Sequence, residues 1–151
     1  MEAWRMVKEK HLATAFSGQW AAKTGGRWNL RGVAVVYASS TRALAALETL
    51  VHLNPAAKFN YVMIGVEFDD KLVERINVSA LPSDWQIEPP PVSIQRLGGT
   101  WVRLGRSAVL AVPSAIIPEE TNYVLNPAHA DFKRITIGNP APFRFDSRLL
   151  T

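Results

Sequence analysis

The sequence predicts a single α+β domain of short mixed or antiparallel strands with few helices. Its 151 residues suit one domain, and a hydrophobic fraction of 48% is large enough to bury a core. Several short runs are rich in β-branched residues, whereas only one longer segment is clearly helical. Because strands and helices do not alternate regularly, the pattern favours an α+β class over a parallel α/β sheet.

The first forty residues predict two strands separated by short helical pieces. Uncharged, β-branched runs are typical of buried strands, and pairs of glycine are typical of turns. We therefore expect a strand at residues 4–7, helical fragments at 12–16 and 20–22, a turn at Gly25-Gly26 and a buried strand at residues 32–38.

The clearest helix is predicted over residues 42–53, which are rich in Ala and Leu. The dipeptide Asn-Pro at 54–55 should end it, because a residue that precedes proline is displaced from the helical region. The residues just before the helix can cap its first turn through side-chain oxygens. These are Ser39, Ser40 and Thr41.

The second half of the chain predicts three further strands and little helix. Asp69 and Asp70 would cap a short helix at residues 71–75, since acidic residues stabilise a helix N-terminus. The four prolines of residues 81–92 predict an extended connection, and the crowded polar residues of 119–132 predict a loop. The strands are expected at residues 61–68, 108–112 and 133–137.

Composition excludes several classes of function. The sequence has no cysteine, which excludes disulfide scaffolds, thiolate zinc sites and cysteine nucleophiles. Its three histidines match no metal-ligand spacing, so we expect no metal site. The longest uncharged run, residues 107–118, contains two prolines and is too short to span a bilayer. Because the N-terminus also lacks the apolar stretch of a signal peptide, we expect a cytoplasmic protein with no membrane contact.

Positive charge is concentrated in the first part of the chain. Residues 1–58 contain eight basic and three acidic residues, whereas residues 59–151 contain nine basic and ten acidic ones. Such an excess suits a phosphate-bearing small ligand and a nucleic acid equally. A small nucleic-acid-binding module or ribonuclease is therefore an alternative, and the five tryptophans fit it loosely. No nucleic-acid-binding motif is present, which disfavours that alternative.

The first candidate site is the segment Gly25-Gly26-Arg27-Trp28-Asn29. Two glycines allow the backbone to approach a ligand closely, and an arginine beside them can donate paired hydrogen bonds to a phosphate or carboxylate. The alternative is an ordinary tight turn, in which the arginine lies on the surface and the tryptophan packs against its neighbours.

The second candidate is Glu48. In a helix it neighbours Leu44 and Val51, on an apolar face that Leu47 extends. A carboxylate on such a face loses hydration, which is costly unless partners compensate. Glu48 either forms a buried salt bridge, for example with Arg27, or lies at the floor of a pocket, where it holds a hydroxyl or stabilises positive charge.

The third candidate is Ser114, which follows an apolar strand. Side chains at strand ends can project into a cleft, and a hydroxyl among apolar residues needs a hydrogen-bond partner or a ligand. The surrounding residues lack the Gly-x-Ser-x-Gly pattern of a hydrolase nucleophile. The alternative is a serine that closes a turn between two prolines.

Three segments together resemble the RES domain family, which is named for its Arg, Glu and Ser. They are GGRWNLRGVAVVYAS, ALAALETLVH and RSAVLAVPSAIIPEETNYVLNPAHADF, in this order. The resemblance runs from about residue 4 to residue 137. It predicts one RES domain over residues 1–151, with a C-terminal extension at residues 138–151. Two departures, Leu30-Arg31 and Ala130, stand near positions where the family often has proline.

The resemblance implies a fold similar to that of ADP-ribosyltransferase toxins and the activity of a bacterial toxin that degrades NAD+. Water or phosphate would accept the ADP-ribose, and transfer to a host protein is the alternative. NAD+ is the expected substrate, and no cofactor is expected. The family also implies a cognate helix-turn-helix antitoxin of the Xre type, in a hetero-oligomeric complex that contacts DNA only through the antitoxin.

The resemblance also places the family's site residues on this sequence. Its Arg falls on Arg27, its Glu on Glu48 and its Ser on Ser114, with Ser107 as a competing placement. The implied roles are a clamp on the pyrophosphate or the nicotinamide ribose for the arginine, stabilisation of positive charge for the glutamate, and orientation of that glutamate or of the ribose for the serine. Further substrate-binding residues are expected at Trp28, Tyr37, Asn122 and Arg31.

Overall fold

The computed structural model describes residues 1–53 and 59–150, which form one mixed sheet with three α-helices. The strands are β1 (Glu2–Lys8), β2 (Val36–Ser39), β3 (Tyr61–Glu67), β4 (Val73–Arg75), β5 (Val109–Pro113), β6 (Thr121–Leu125), β7 (Thr136–Ile137) and β8 (Ala141–Phe143). The helices are α1 (Gln19–Thr24), α2 (Arg42–Leu50) and α3 (Val92–Leu104). The predicted α+β class is confirmed.

The sheet has the order β4-β5-β6-β2-β1-β3-β7, and β8 also pairs with β3. Only the β4–β5 pair is parallel among the described strands. Strand β1 lies inside the sheet and pairs with all seven residues of β3. The N-terminal strand therefore brings its side chains to the middle of the molecule.

The central strands are buried on both faces. In β5, Leu110 and Val112 pack with Ile94 and Trp101 of α3, whereas the alternate residues of this strand pack into a second cluster on the other face. Successive strand residues point to opposite faces, so a strand covered on both sides is apolar throughout. A third cluster joins Ala45 of α2 to β1 and β3.

Helix α2 begins where the sequence predicts and ends earlier. The side chain of Thr41 accepts a hydrogen bond from the Leu44 amide at 3.0 Å, which identifies the cap among the three candidates. The helix ends at Leu50, and His52 N then bonds Thr49 O in a tighter turn. The predicted stop at residues 54–55 lies outside the described residues.

The predicted strand at residues 32–38 is wrong in its first half, because β2 begins at Val36. The buried side chain of Asn29 donates hydrogen bonds to the carbonyls of Leu30 and Val33. Gly32, with φ of +92°, turns the chain just before this point. The side chain of Asn29 thus satisfies backbone groups that a strand would have paired with its neighbour.

Long-range pairing corrects three further predictions. Residues 71–75 are not one helix: a 3-10 turn at Asp70–Leu72 leads into β4, which pairs with β5. The predicted loop at 119–132 contains β6, and the predicted strand at 133–137 is a 3-10 helix at Ala130–Arg134 followed by β7. Local composition is overridden here by pairing with distant strands.

Helix α3 was not predicted. It follows the proline-rich connection, and the pair Gly98-Gly99 in its middle disfavours helix in any propensity scale. A Cβ atom at Gly98 would lie 1.7 Å from the Trp28 carbonyl oxygen. Glycine therefore allows α3 to lie directly against the segment that contains Arg27. None of the described helices is long and apolar enough to cross a membrane.

Candidate active site

One cavity of about 1360 Å³ opens between β1, α1, the glycine turn and α2. Small-molecule pockets usually have volumes of about 300–1,000 Å³, so this cavity has room for a ligand larger than most. It collects most of the residues that the sequence singled out as candidates. Its lining includes Arg27, Trp28, Tyr37, Glu48 and Asn122.

Glu48 is held by two side chains from the far part of the chain. The Ser114 hydroxyl and the Asn122 amide each donate a hydrogen bond of 2.7 Å to its Oε1 atom. No donor among the described residues bonds its Oε2 atom. One oxygen of the carboxylate is therefore fixed by the protein, and the other is available to a ligand in the cavity.

Ser114 is fully buried and joins a turn to the carboxylate. Its hydroxyl oxygen accepts hydrogen bonds from the amides of Ile116 and Ile117, both at 3.1 Å, while the hydroxyl itself donates a hydrogen bond to Glu48. The hydroxyl thus closes a turn, as one interpretation expected, and has the hydrogen-bond partner that a buried hydroxyl requires. Ser107 instead accepts a hydrogen bond from Trp101 Nε1 at 2.7 Å. Of these two serines, Ser114 is the one that bonds Glu48.

Asn122 is oriented by a residue that the sequence suggested only as a helix cap. The Ser39 hydroxyl donates to the Asn122 Oδ1 atom at 2.7 Å, which turns the amide nitrogen toward Glu48. The register of β2 and β6 places Ser39 directly opposite Asn122. Helix α2, strands β2 and β6 and the end of β5 therefore converge on one carboxylate.

Arg27 lines the same cavity, but no ion pair joins it to Glu48, so the salt-bridge interpretation of Glu48 is wrong for Arg27. Its Nη1 atom donates to the carbonyls of Trp85 and Ile87, at 2.9 and 2.8 Å, and its Nη2 atom pairs with Glu88 at 2.9 Å. The Arg27 side chain is only 15% exposed, whereas Glu88 is 67% exposed. Arg27 anchors the segment that precedes α3.

The glycine turn is supported by a buried network. The Tyr37 hydroxyl donates to Asn29 Oδ1 at 2.5 Å and accepts from the Trp28 amide at 3.1 Å. Burial raises the pKa of Tyr37 above its usual value, which keeps this donor protonated. A Cβ atom at Gly26 would lie 2.8 Å from both the Asn29 Oδ1 atom and the Tyr37 hydroxyl oxygen. The second glycine is thus required by this close contact.

Two predicted binding residues are less available to a ligand. The Trp28 side chain is only 2% exposed and belongs to the core cluster under α3, which leaves little of its ring for stacking. Arg31 is exposed and lies outside the described lining of the cavity. The structure brings Arg27, Tyr37 and Asn122 to the cavity wall together with Glu48.

Arg5 is a cavity residue that the sequence did not single out. Its Nε atom donates to the Ala15 carbonyl at 2.6 Å and its Nη1 atom to the Tyr37 carbonyl at 2.9 Å. Burial lowers the pKa of Arg5 to about 10, so it stays positively charged at neutral pH. A single charged residue in the short strand predicted at residues 4–7 could have indicated it.

The lining of the cavity carries a net positive charge. Its lining contains four basic residues, Arg5, Lys8, Lys23 and Arg27, but only two acidic ones, Glu48 and Glu88. Within residues 1–53 and 59–150, no group of three His, Asp or Glu side chains could hold a metal ion. The field therefore favours an anionic ligand, and the groups that could act on it are carboxylate, guanidinium and hydroxyl.

Comparison with known proteins identifies the family. The profile of the RES domain matches residues 2–146. The chain belongs to the RES domain family. The Prs ADP-ribosylating toxin of Sphingobium sp. (strain YBL2) is 40% identical over 153 residues, which cover 97% of this chain and 95% of that protein. Toxin Res of Yersinia enterocolitica is 34% identical over 151 residues, and the match covers 99% of both proteins.

A solved structure shares the fold of this RES domain. The crystal structure of the M. tuberculosis MbcT–MbcA toxin–antitoxin complex contains a chain that superposes with a TM-score of 0.76. The match covers 94% of this chain and 83% of that one, at 15% sequence identity. The RES family predicted from the three sequence segments is confirmed, and its fold is one that occurs in a toxin–antitoxin complex.

Proposed function

We propose that this RES domain is a toxin that degrades NAD+ by breaking the bond between nicotinamide and the C1′ atom of ribose. The observation that carries the proposal is that the protein holds Glu48 through one carboxylate oxygen at the wall of a large cavity. Two donors hold one of its oxygens at 2.7 Å, and the residue lines a cavity of about 1360 Å³ with a positive balance. The relatives named as toxins support the biological role.

The proposed reaction suits a fixed carboxylate. Nicotinamide leaves NAD+ as a neutral molecule, so the reaction needs no strong acid. The barrier comes from positive charge that develops on the ribose ring, as in glycoside hydrolysis. A carboxylate that is already oriented stabilises this charge without rearrangement. Glu48 takes this role, and its free Oε2 atom accepts a hydrogen bond from a ribose hydroxyl.

Ser114 and Asn122 act as positioning residues in this proposal. Both donate to the same oxygen of Glu48, so they fix the plane of the carboxylate and direct its other oxygen to the substrate. Hydrogen bonds to an ionised acceptor are stronger than those between neutral groups. Ser39 supports the arrangement by orienting the Asn122 amide.

The two arginines of the cavity hold the pyrophosphate. Glu88 is exposed and pairs with Arg27 through one hydrogen bond, so a phosphate oxygen can replace it at the Arg27 Nη2 atom. Arg5 offers a second guanidinium with its Nη2 atom unused by the described residues. Tyr37 adds an aromatic wall beside the nicotinamide. The reaction requires no cofactor beyond the substrate itself.

A second candidate is transfer of ADP-ribose to a protein. The observation that favours it is the 40% identity to a relative named Prs ADP-ribosylating toxin. Glu48 and the arginines would keep the same roles, because bond cleavage at the ribose is common to both reactions. Only the acceptor differs, with a protein side chain in place of water or phosphate.

We also propose a cognate antitoxin as partner. The similarity to a chain solved in a toxin–antitoxin complex supports a protein that binds and silences this one. In our proposal this antitoxin is of the helix-turn-helix Xre type. It forms a hetero-oligomeric complex with the toxin and provides its only contact with DNA.

Product analysis tests the activity. The purified chain is incubated with NAD+ alone, with NAD+ and inorganic phosphate, and with NAD+ and a bacterial lysate, and the products are separated by chromatography. We expect free nicotinamide in amounts equal to the NAD+ lost. ADP-ribose in the first incubation indicates hydrolysis, and a phosphorylated product in the second indicates phosphorolysis. ADP-ribose attached to lysate protein, with no loss of NAD+ in the first two incubations, favours the transferase. Intact NAD+ in all three incubations contradicts both activities.

A further inference from the structure

Trp20 is a large aromatic residue on the rim of the cavity, and the proposed reaction assigns it no role. It lies on α1, only seven residues before Arg27, and its side chain is 62% exposed. An exposed indole beside a cavity is a surface that a flat ligand can cover. Trp28, the tryptophan of the glycine turn, does not offer such a surface, because it is buried in the core.

The neighbours of Trp20 hold it in place and add positive charge. The His11 ring stacks on the indole, with centroids 5.7 Å apart and planes at 28°. The Lys23 ammonium lies 5.9 Å from the Trp20 ring centroid. His11 and Lys23 also line the cavity. The rim therefore combines a held aromatic ring with a cation, the pair that single-stranded nucleotide sites use for base and phosphate.

We infer that Trp20 and Lys23 form the subsite for the adenosine half of a dinucleotide whose other half lies at Glu48. This inference rests on the proposed function, because the carboxylate determines where the nicotinamide ribose lies. The adenine then stacks on Trp20, and Lys23 approaches the adenosine phosphate as a point charge. Arg5 and Arg27 lie on the wall of the same cavity, where they can hold the pyrophosphate between the two halves.

Kinetics with two substrates of different length test the subsite. Nicotinamide mononucleotide carries the scissile bond but no adenosine. We expect Trp20→Ala to raise the KM for NAD+ about tenfold, which is typical of the loss of one base–aromatic stack. The kcat for NAD+ and the KM for nicotinamide mononucleotide should stay within about twofold of the original protein. Trp20→Phe keeps a stacking face and should recover most of the affinity.

Phe59 provides a matched control. It is also an exposed aromatic residue in the lining of the cavity, but the Lys8 ammonium lies 3.7 Å from its ring centroid, closer than Lys23 lies to the Trp20 ring, and occupies one face of the ring. Phe59→Ala should leave the KM for NAD+ unchanged. An unchanged KM for NAD+ in Trp20→Ala, or an equal rise for both substrates, would overturn the adenosine subsite.

Equilibrium binding separates this inference from the proposed activity. AMP contains the adenosine phosphate and no scissile bond, so its affinity can be measured by calorimetry whether or not the chain degrades NAD+. We expect Trp20→Ala and Lys23→Ala each to weaken AMP binding about tenfold. If the original protein leaves NAD+ intact but binds AMP, and the variants lose AMP binding, the proposed activity is contradicted and the subsite is supported. Equal AMP affinity in all variants would overturn the subsite alone.

Discussion

Glu48 and Arg27 line the same cavity, but the protein holds them in opposite ways. Glu48 receives two hydrogen bonds on one oxygen, and no described residue bonds the other. Arg27 instead gives its hydrogen bonds to two carbonyls and a carboxylate of the segment at residues 85–88. The acid is thus arranged for a ligand, whereas the base is arranged for its own chain. Two residues of one family motif therefore differ, because Glu48 has an oxygen that no described residue bonds, whereas Arg27 holds the segment before α3.

The largest effect should follow from neutralising the acid. Glu48→Gln keeps the size of the side chain but removes the negative charge that, in the proposed mechanism, stabilises the developing cation on ribose. We expect kcat for NAD+ to fall by about two orders of magnitude or more, as for other lost electrostatic stabilisers, with the fold retained. The measurement is nicotinamide release, beside circular dichroism. Glu9→Gln, a change at an exposed acid elsewhere, should be neutral; full activity of Glu48→Gln would remove the carboxylate from the mechanism.

Arg27→Lys should show that Arg27 also stabilises the folded protein. A lysine is a point charge and cannot reach the Trp85 and Ile87 carbonyls and Glu88 together. We expect a loss of about 2 kcal/mol in the free energy of unfolding, the usual scale for hydrogen bonds to a charged group, together with a higher KM for NAD+. Urea denaturation measures the first effect. Arg106→Lys, at an exposed ion pair with Glu74, should change stability little; equal losses in both variants would refute the anchor.

Ser114→Ala should show whether orientation of the acid contributes to turnover. The variant leaves Glu48 with the Asn122 donor alone and leaves the amides of Ile116 and Ile117 without their acceptor. We expect kcat to fall about tenfold, since one hydrogen bond to a charged group is lost. The comparison variant is Ser107→Ala, which removes a hydroxyl that bonds Trp101 and should spare kcat. The opposite ranking would move the family's serine to Ser107.

The smallest effect is expected at the acid partner of Arg27. Glu88 is exposed and negatively charged, and it occupies the Arg27 Nη2 atom that the pyrophosphate would use. Glu88→Gln weakens that competition, so the KM for NAD+ should fall about twofold to threefold at low salt, on the scale of exposed ion pairs. The difference should shrink at high ionic strength because salt screens exposed charges. A higher KM in the variant would mean that Glu88 helps to position Arg27.

The sequence predicts the acid site better than its surroundings, for a physical reason. Helical spacing alone puts Glu48 one turn from the buried Leu44, although Val51 of the predicted face is exposed at the end of α2. The end of an apolar strand marks Ser114, and both conclusions need only local sequence. The role of Ser39 depends on its register opposite Asn122, which no local pattern shows. Arg5 lies at the cavity because β1 is inside the sheet, and that follows from pairing with residues about sixty positions away.

The misplaced residues have the same origin. Trp28 follows a glycine turn that looks exposed in the sequence, but α3 covers it because Gly98 allows close approach to its carbonyl. Glu88 lies in a proline-rich segment that reads as a plain connection, yet it folds back on Arg27. Local composition describes each segment correctly as turn or linker. What it lacks is the distant element that packs on that segment.

The order in which the site's parts occur along the chain determines when the Glu48 carboxylate can be fixed during synthesis. Glu48 belongs to the first third of the sequence, while its two donors are 66 and 74 residues further on. A nascent polypeptide that has not yet released residue 122 from the ribosome cannot lock the acid in place. The fixed carboxylate therefore exists only after residues 114 and 122 have joined the fold, and we expect a fragment that stops before them to lack it.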